Sequence, residues 1–132
     1  MTVFLDTVGL LAIWDESDQW HQAAQRCFAG LLASRSHLIT STSILLECGN
    51  AAARRPYRSA VNRLRKEMED AGDLIAPTSE DWQAAWSRYE KRDADSAGIV
   101  DHLSFSILRR LGLTKAFTND AHFRVAGFET LF

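Results

Sequence analysis

The chain has 132 residues, 46% hydrophobic and 24% charged, enough for one core and too few for two independent ones. Fifteen Lys and Arg against seventeen Asp and Glu give a net charge of -2, which excludes a global polycation drawn to nucleic acid or anionic membrane. The apolar fraction excludes wholesale disorder, and no apolar stretch approaches the roughly 20 residues of a spanning helix. No basic flank leads into a long apolar run at the N-terminus, so a cytoplasmic protein without a membrane span is expected. Cys27 and Cys48 form no CxxC pattern and read as buried thiols.

Thr2 to Leu5 is a short β-capable run that stops at Asp6, and Leu10 to Trp14 is apolar. From about Asp18, residues Trp20, Ala23, Ala24, Cys27, Phe28, Leu31 and Leu32 recur at three- and four-residue spacing, which predicts an amphipathic helix. His37 to Thr40 reads as a second strand, and Ser41 or Thr42 caps a helix running to about Arg55, where Pro56 interrupts. Tyr57 to Ala71 is a basic helix closed by Gly72, and Asp73 to Ala76 a third strand. Pro77-Thr78-Ser79 turns into a helix carrying Trp82, Ala85, Trp86 and Tyr89. After a polar stretch, Lys91 to Ala97, an apolar helix spans Ile99 to Leu111 and stops at Gly112. Lys115 to Phe117 is a fourth strand, a short helix follows Asp120, and Phe128 to Phe132 is a last strand. Short apolar strands alternating with helices predict an α/β protein, a single-domain three-layer α/β/α sandwich over residues 1–132 with a short, mainly parallel central sheet.

Ligands of open parallel sheets bind beyond the carboxyl ends of the strands. Asp6 ends the first strand and Asp120 follows the fourth, although Asp at either position also serves as a helix cap. At about 100° per residue, Asp101 falls between Leu108 and Phe105 on the apolar side of its helix, with His102, Ser106, Arg109 and Arg110 on the polar side. A buried, unpaired carboxylate costs several kcal/mol or protonates, so Asp101 needs a cation or donors. Glu47 borders the stripe of Ile44, Cys48, Ala51 and Ala52 and is a weaker candidate. If Asp6, Glu47, Asp101 and Asp120 converge, their repulsion makes sense as a hard-cation site, because oxygen-only ligands suit Mg²⁺ or Mn²⁺ and such ions serve phosphodiester hydrolysis. Thr7, Thr118 and Asn119 add neutral donors beside the acids.

Phe4-Leu5-Asp6-Thr7, Glu47 in a helix after a short strand, Asp95-Ser96-x-x-Ile99-Val100-Asp101-x-x-Ser104-Phe105 and Thr118-Asn119-Asp120-x-His122-Phe123 together resemble the PIN domain, and VapC-type toxins of toxin–antitoxin pairs most of all. The resemblance runs over the whole chain in the family's order. It implies a metal-dependent endoribonuclease in which Asp6, Glu47, Asp101 and Asp120 hold Mg²⁺ or Mn²⁺, with Thr118 a polar helper. It also implies an RNA substrate, a homodimer and a small antitoxin that obstructs the active site. Many relatives carry Lys-Asp-x-Ser where this chain has Asp93-Ala94-Asp95-Ser96, and Asp95 is read as a cap of the next helix.

Six positive charges and no acid lie between residues 54 and 66, which leaves the remainder at -8. This basic run is either an RNA-backbone contact or a surface for solvent or an antitoxin. His21, His37, His102 and His122 show no zinc spacing; His102 and His122 adjoin candidate acids, where they could orient water or phosphate, but are read as satisfied neighbours. Trp20, Trp82, Trp86 and Tyr89 are read as core or dimer interface rather than a base-stacking platform. A phosphatase-type phosphotransfer domain would need a second Asp where Val8 stands, and a receiver domain would need paired acids near Asp6. A catalytically silent RNA- or protein-binding module, or a nuclease of RNA processing without an antitoxin, is the standing alternative.

Overall fold

The computed structural model describes residues 1–91 and 96–132. Asp93 and Asp95 lie outside the described residues. In chain order the elements are β1 (Thr2–Leu5), α1 (Thr7–Trp14), α2 (His21–Ala33), β2 (His37–Ser41), α3 (Thr42–Ala52), α4 (Arg58–Ala71), β3 (Leu74–Ile75), α5 (Ser79–Glu90), α6 (Ile99–Leu111), β4 (Lys115–Phe117), α7 (Ala121–Val125) and β5 (Glu129–Thr130). The strands form one sheet in the order β3-β2-β1-β4-β5, and every pairing is parallel. In β1, Val3, Phe4 and Leu5 are wholly buried, as a central strand covered on both faces requires.

Strand order decides where a ligand can enter. From β1 the chain steps outward through β2 to β3, then crosses back to β4 and steps the other way to β5. Right-handed crossovers place helices of opposite steps on opposite faces. The packing agrees: α1 touches α2 and α3, α3 touches α4, while α5 packs on α6 and α6 on α7. β1 and β4 are neighbours whose following helices leave to opposite faces, so a crevice opens beyond their carboxyl ends. Phe4 pairs with Ala116 and Leu5 with Phe117, which brings Asp6 level with Thr118.

Local signals account for most boundaries. Thr78 and Asp81 close a reciprocal cap on α5, and Ser41 Oγ accepts from Ile44 N–H at 3.2 Å to start α3. Gly72 and Gly112 terminate α4 and α6 with φ of 74° and 68°, a left-handed turn that glycine adopts without steric cost. Aromatic rings fill both layers. Phe105 meets Phe123 and Phe128 on the α6–α7 side, while Phe117 meets Phe28 and Phe132. Asp81, on α5, takes three hydrogen bonds from Arg110 of α6, which ties the two helices together.

Three expectations need correction. Trp20 precedes α2 and is exposed, as is Leu32; Ala24 and Leu31 are the fully buried residues of that helix, and half-buried Cys27 and Phe28 pack against the core beside them. Trp82, Trp86 and Tyr89 are not core: they stand 54%, 37% and 49% exposed in an edge-to-face ladder, and Ala85 and Asp81 form the buried side of α5. His102 was placed on a polar side, yet it is buried, packed edge-on between Tyr89 and Phe105, because α5 covers that face of α6. Cys27 and Cys48 are free thiols, Cys48 buried and Cys27 half-buried.

Gly9 sits where α1 crosses β4. A Cβ there would lie 2.2 Å from the Phe117 carbonyl oxygen and 2.6 Å from its ring, whereas one at Gly30 of α2 meets nothing within 4 Å. Gly9→Ala should therefore cost about 2–3 kcal/mol in urea unfolding through overpacking. Gly30→Ala should gain up to about 1 kcal/mol from helix propensity.

Candidate metal centre

The four predicted acids come from four elements. Asp6 ends β1 and caps α1, its Oδ2 accepting from Val8 N–H at 3.4 Å. Asp120 caps α7, its Oδ1 accepting from His122 N–H at 2.9 Å. The cap and the site readings of these two residues are thus compatible, since a cap leaves a carboxylate at the helix end, where the partial positive charge favours it. Asp101 lies in the first turn of α6 and accepts from Gly98 N–H at 3.3 Å. Glu47 is half-buried in α3, one turn into the helix, and accepts from Thr7 Oγ1 at 2.6 Å.

Thr118 connects two of them. Its hydroxyl donates to Asp6 Oδ2 at 2.8 Å and accepts from Asp120 N–H at 3.1 Å, with the threonine itself fully buried. A second buried hydroxyl, Thr40 Oγ1, donates to the Leu5 carbonyl at 2.7 Å and pins the last turn of β1. The Thr7–Glu47 bond and the Thr40 contact carry no sequence signal beyond the presence of a threonine, because they depend on which strands become neighbours.

The acids raise one another's proton affinity. Burial, then the charge of Asp101, raises the Asp6 carboxyl from its ordinary 3.8 to about 7 despite the Thr118 hydrogen bond. Burial and the charges of Asp120 and Glu47 raise Asp101 to about 6, against the favourable Gly98 N–H and His122. The charges of Asp120 and Glu47 thus act on Asp101, and the charge of Asp101 acts on Asp6. Among the described residues no Lys or Arg pairs with any of the four, and their one ionisable partner is His122.

That imidazole is the feature sequence reasoning undervalued. His122 Nδ1 lies 2.9 Å from Asp120 Oδ1 and 4.0 Å from Asp101 Oδ2. One ligand atom each from Asp101, Asp120 and His122 lie within 4.8 Å of one another. The donor set is therefore carboxylate-rich, short of protein counter-charge and compact, which fits a divalent cation. Cys48, next to Glu47, offers no thiolate, because burial and the nearby Asp6 and Glu47 charges push it up to about 12. A wide apolar groove of about 880 Å³ lies apart from these acids, between α3 and α4, lined by Leu45, Leu46, Val61 and Leu74 with Arg58 and Arg65 at its edge.

The raised carboxyls tie stability to pH in a definite sense. Between about pH 4 and 7 the folded chain holds protons that the unfolded chain has lost, so metal-free stability falls as pH rises through that window. Asp6→Asn should flatten the fall, adding about 2–4 kcal/mol near pH 8 and little near pH 4. Urea unfolding in EDTA at both pH values measures this; an equal loss of stability at both would mark Asp6 as a structural cap alone.

Comparison with known proteins places the fold in a family. The PIN domain profile matches residues 3–129. The 23S rRNA-specific endonuclease VapC20 of Mycobacterium tuberculosis is 26% identical over 131 residues, covering 96% of this chain and 95% of its own. The crystal structure of that toxin, described as cleaving the sarcin–ricin loop, superposes with a TM-score of 0.79 at 25% identity over 96% of both chains. FitAcB from Neisseria gonorrhoeae, at 15% identity and a TM-score of 0.66 over 100% of this chain and 97% of its own, shares the fold. No helix among the described residues is long and apolar enough to cross a membrane. With the profile spanning nearly its whole length, and the parallel sheet and layered helices of its relatives, the chain belongs to the PIN-domain family.

Proposed function

We propose that this chain is a divalent-metal-dependent endoribonuclease of the VapC toxin type. The observation that carries the reading is the cluster of Asp101, Asp120 and His122 within 4.8 Å, with Asp6 tied to Asp120 through Thr118, the Glu47 charge acting on Asp101, and no Lys or Arg paired with these acids among the described residues. Asp6, Glu47, Asp101 and Asp120 would hold Mg²⁺ or Mn²⁺. When bound, the ion supplies Lewis acidity toward a phosphodiester and offsets charge on the leaving oxygen.

The chain's own residues prepare the site. Thr118 fixes the Asp6 carboxylate, and its acceptance of the Asp120 N–H keeps the β4–α7 turn in register with β1. Thr7 fixes Glu47 through its own hydroxyl. Both donors are neutral, so they orient the acids and leave their charge for a cation. Burial of Asp6 makes each such contact stronger than it would be in water.

Substrate and partners extend the same proposal. A full-length relative that cuts 23S rRNA makes a sarcin–ricin-loop RNA the first substrate to try. Arg54, Arg58, Arg63 and Lys66 are exposed, which supports a backbone contact with RNA or an acidic protein segment. A cognate antitoxin and a homodimer are supported by the apolar groove between α3 and α4 and by exposed Leu46, Trp82 and Trp86, more apolar surface than isolated side chains usually show. Such a toxin would act in the cytoplasm.

Purified protein should cut structured RNA in Mg²⁺ or Mn²⁺ and stop in EDTA. Asp6→Asn and Asp101→Asn should each lower the rate at least about 100-fold, the scale on which loss of transition-state charge stabilisation is felt. Gel assays on a sarcin–ricin-loop RNA and an unrelated stem-loop, with each variant's fold checked by circular dichroism, measure it. RNA binding without cleavage under every metal condition would leave a silent module instead.

A further inference from the structure

His122 belongs to none of the four-acid assignment, yet its ring is built into the cluster. Nδ1 lies 2.9 Å from Asp120 Oδ1 and 4.0 Å from Asp101 Oδ2. The nitrogen and one oxygen from each of the two acids lie within 4.8 Å of one another, close enough for a single ion to reach all three. The backbone holds the ring there: His122 lies in the first turn of α7, whose cap is Asp120, and its own N–H donates to the same Asp120 Oδ1.

Chemistry then selects the ion. Mg²⁺ is hard, strongly hydrated and served by oxygen, so an imidazole adds little to its binding. Mn²⁺ shares the preference for carboxylate and water but, unlike Mg²⁺, belongs to the first-row series whose affinity extends to mixed nitrogen and oxygen sites. In the metal-free chain Nδ1–H donates to Asp120 Oδ1 at 2.9 Å; with the proton moved to Nε2, which solvent can serve because the ring is 36% exposed, the Nδ1 lone pair would face an ion held between the carboxylates. We infer that His122 is a nitrogen ligand of the cluster formed with Asp101 and Asp120, and that it biases the centre toward Mn²⁺ over Mg²⁺. The inference rests on the metal-dependent reading and adds to it one donor and an ion preference.

Binding, rather than turnover, tests it. The full chain and His122→Asn are titrated calorimetrically with Mn²⁺ and with Mg²⁺, and the Mn²⁺ complex of the unsubstituted chain is examined by pulsed electron paramagnetic resonance for coupling to ¹⁴N. Asn retains an amide donor for Asp120 but brings no imidazole nitrogen. The expected result is tighter binding of Mn²⁺ than Mg²⁺ by the unsubstituted chain, with ¹⁴N coupling. His122→Asn should then lose about tenfold in Mn²⁺ affinity, the scale of a disturbed ligand shell, while Mg²⁺ affinity changes less than about twofold. Equal weakening of both ions would overturn the inference and leave His122 as a residue that only positions Asp120. Absence of ¹⁴N coupling would overturn it even if the variant fails to fold. No binding of either ion to the unsubstituted chain would overturn the metal reading itself, a separate outcome from an unaltered ion preference.

Discussion

Carboxylates that repel one another are held together here by the rest of the fold. Asp6 is almost wholly removed from water, Asp101 is partly so, and neither receives a Lys or Arg among the described residues. Their pKa values are raised to about 7 and about 6, which expresses the strain of keeping them ionised. A chain selected for stability alone would place a cation or an apolar residue at such points, because an uncompensated buried charge is among the most destabilising features a protein carries. That the fold tolerates them is intelligible when a divalent ion belongs to the folded state, since whatever binds only the folded form stabilises it.

The sheet makes the gathering possible. A parallel sheet sends every strand's carboxyl end to one edge, and the reversal of strand order between β1 and β4 opens that edge at one place. Asp6 and Asp120 arrive there on strand ends, and Asp101 and Glu47 arrive on helices of opposite layers. No two of these residues are near neighbours in sequence. The β1–β4 register sets Asp6 beside Thr118, and the close crossing at Gly9 and Phe117 lays α1 directly over β4.

Much of this was legible in the sequence, for reasons that differ by element. β1 could be read because three consecutive apolar residues stop at an acid, and α6 because a long apolar periodicity ends at a glycine. Asp101 stood out as an acid on an apolar arc. Helix ends were less clear: α3 stops at Ala52 rather than near Arg55, since Pro56 ends helices somewhat upstream of itself. The polar-side reading of His102 and the core half of the reading of the α5 aromatics fail for one reason. A helical wheel gives the faces of a helix but not its neighbours, and α5 lies over the side of α6 that carries His102 while leaving its own Trp82 and Trp86 in solvent. His122 was visible only as a neighbour in sequence, because its meeting with Asp101 depends on α6 and α7 packing together.

The donors chosen for the acids carry the last step. Thr118 on Asp6, Thr7 on Glu47 and the Gly98 N–H on Asp101 are all neutral. A hydrogen bond to a charged group contributes about 1.5–3 kcal/mol, enough to fix the direction of a carboxylate and too little to relieve the repulsion among four. A guanidinium or ammonium would do both, and would then have to be displaced by any incoming ion at the cost of leaving a second buried charge unpaired. Neutral hydroxyls avoid that competition. They hold the oxygens in place while the negative charge stays available, which is the condition a divalent cation needs in order to bind strongly to a preformed site.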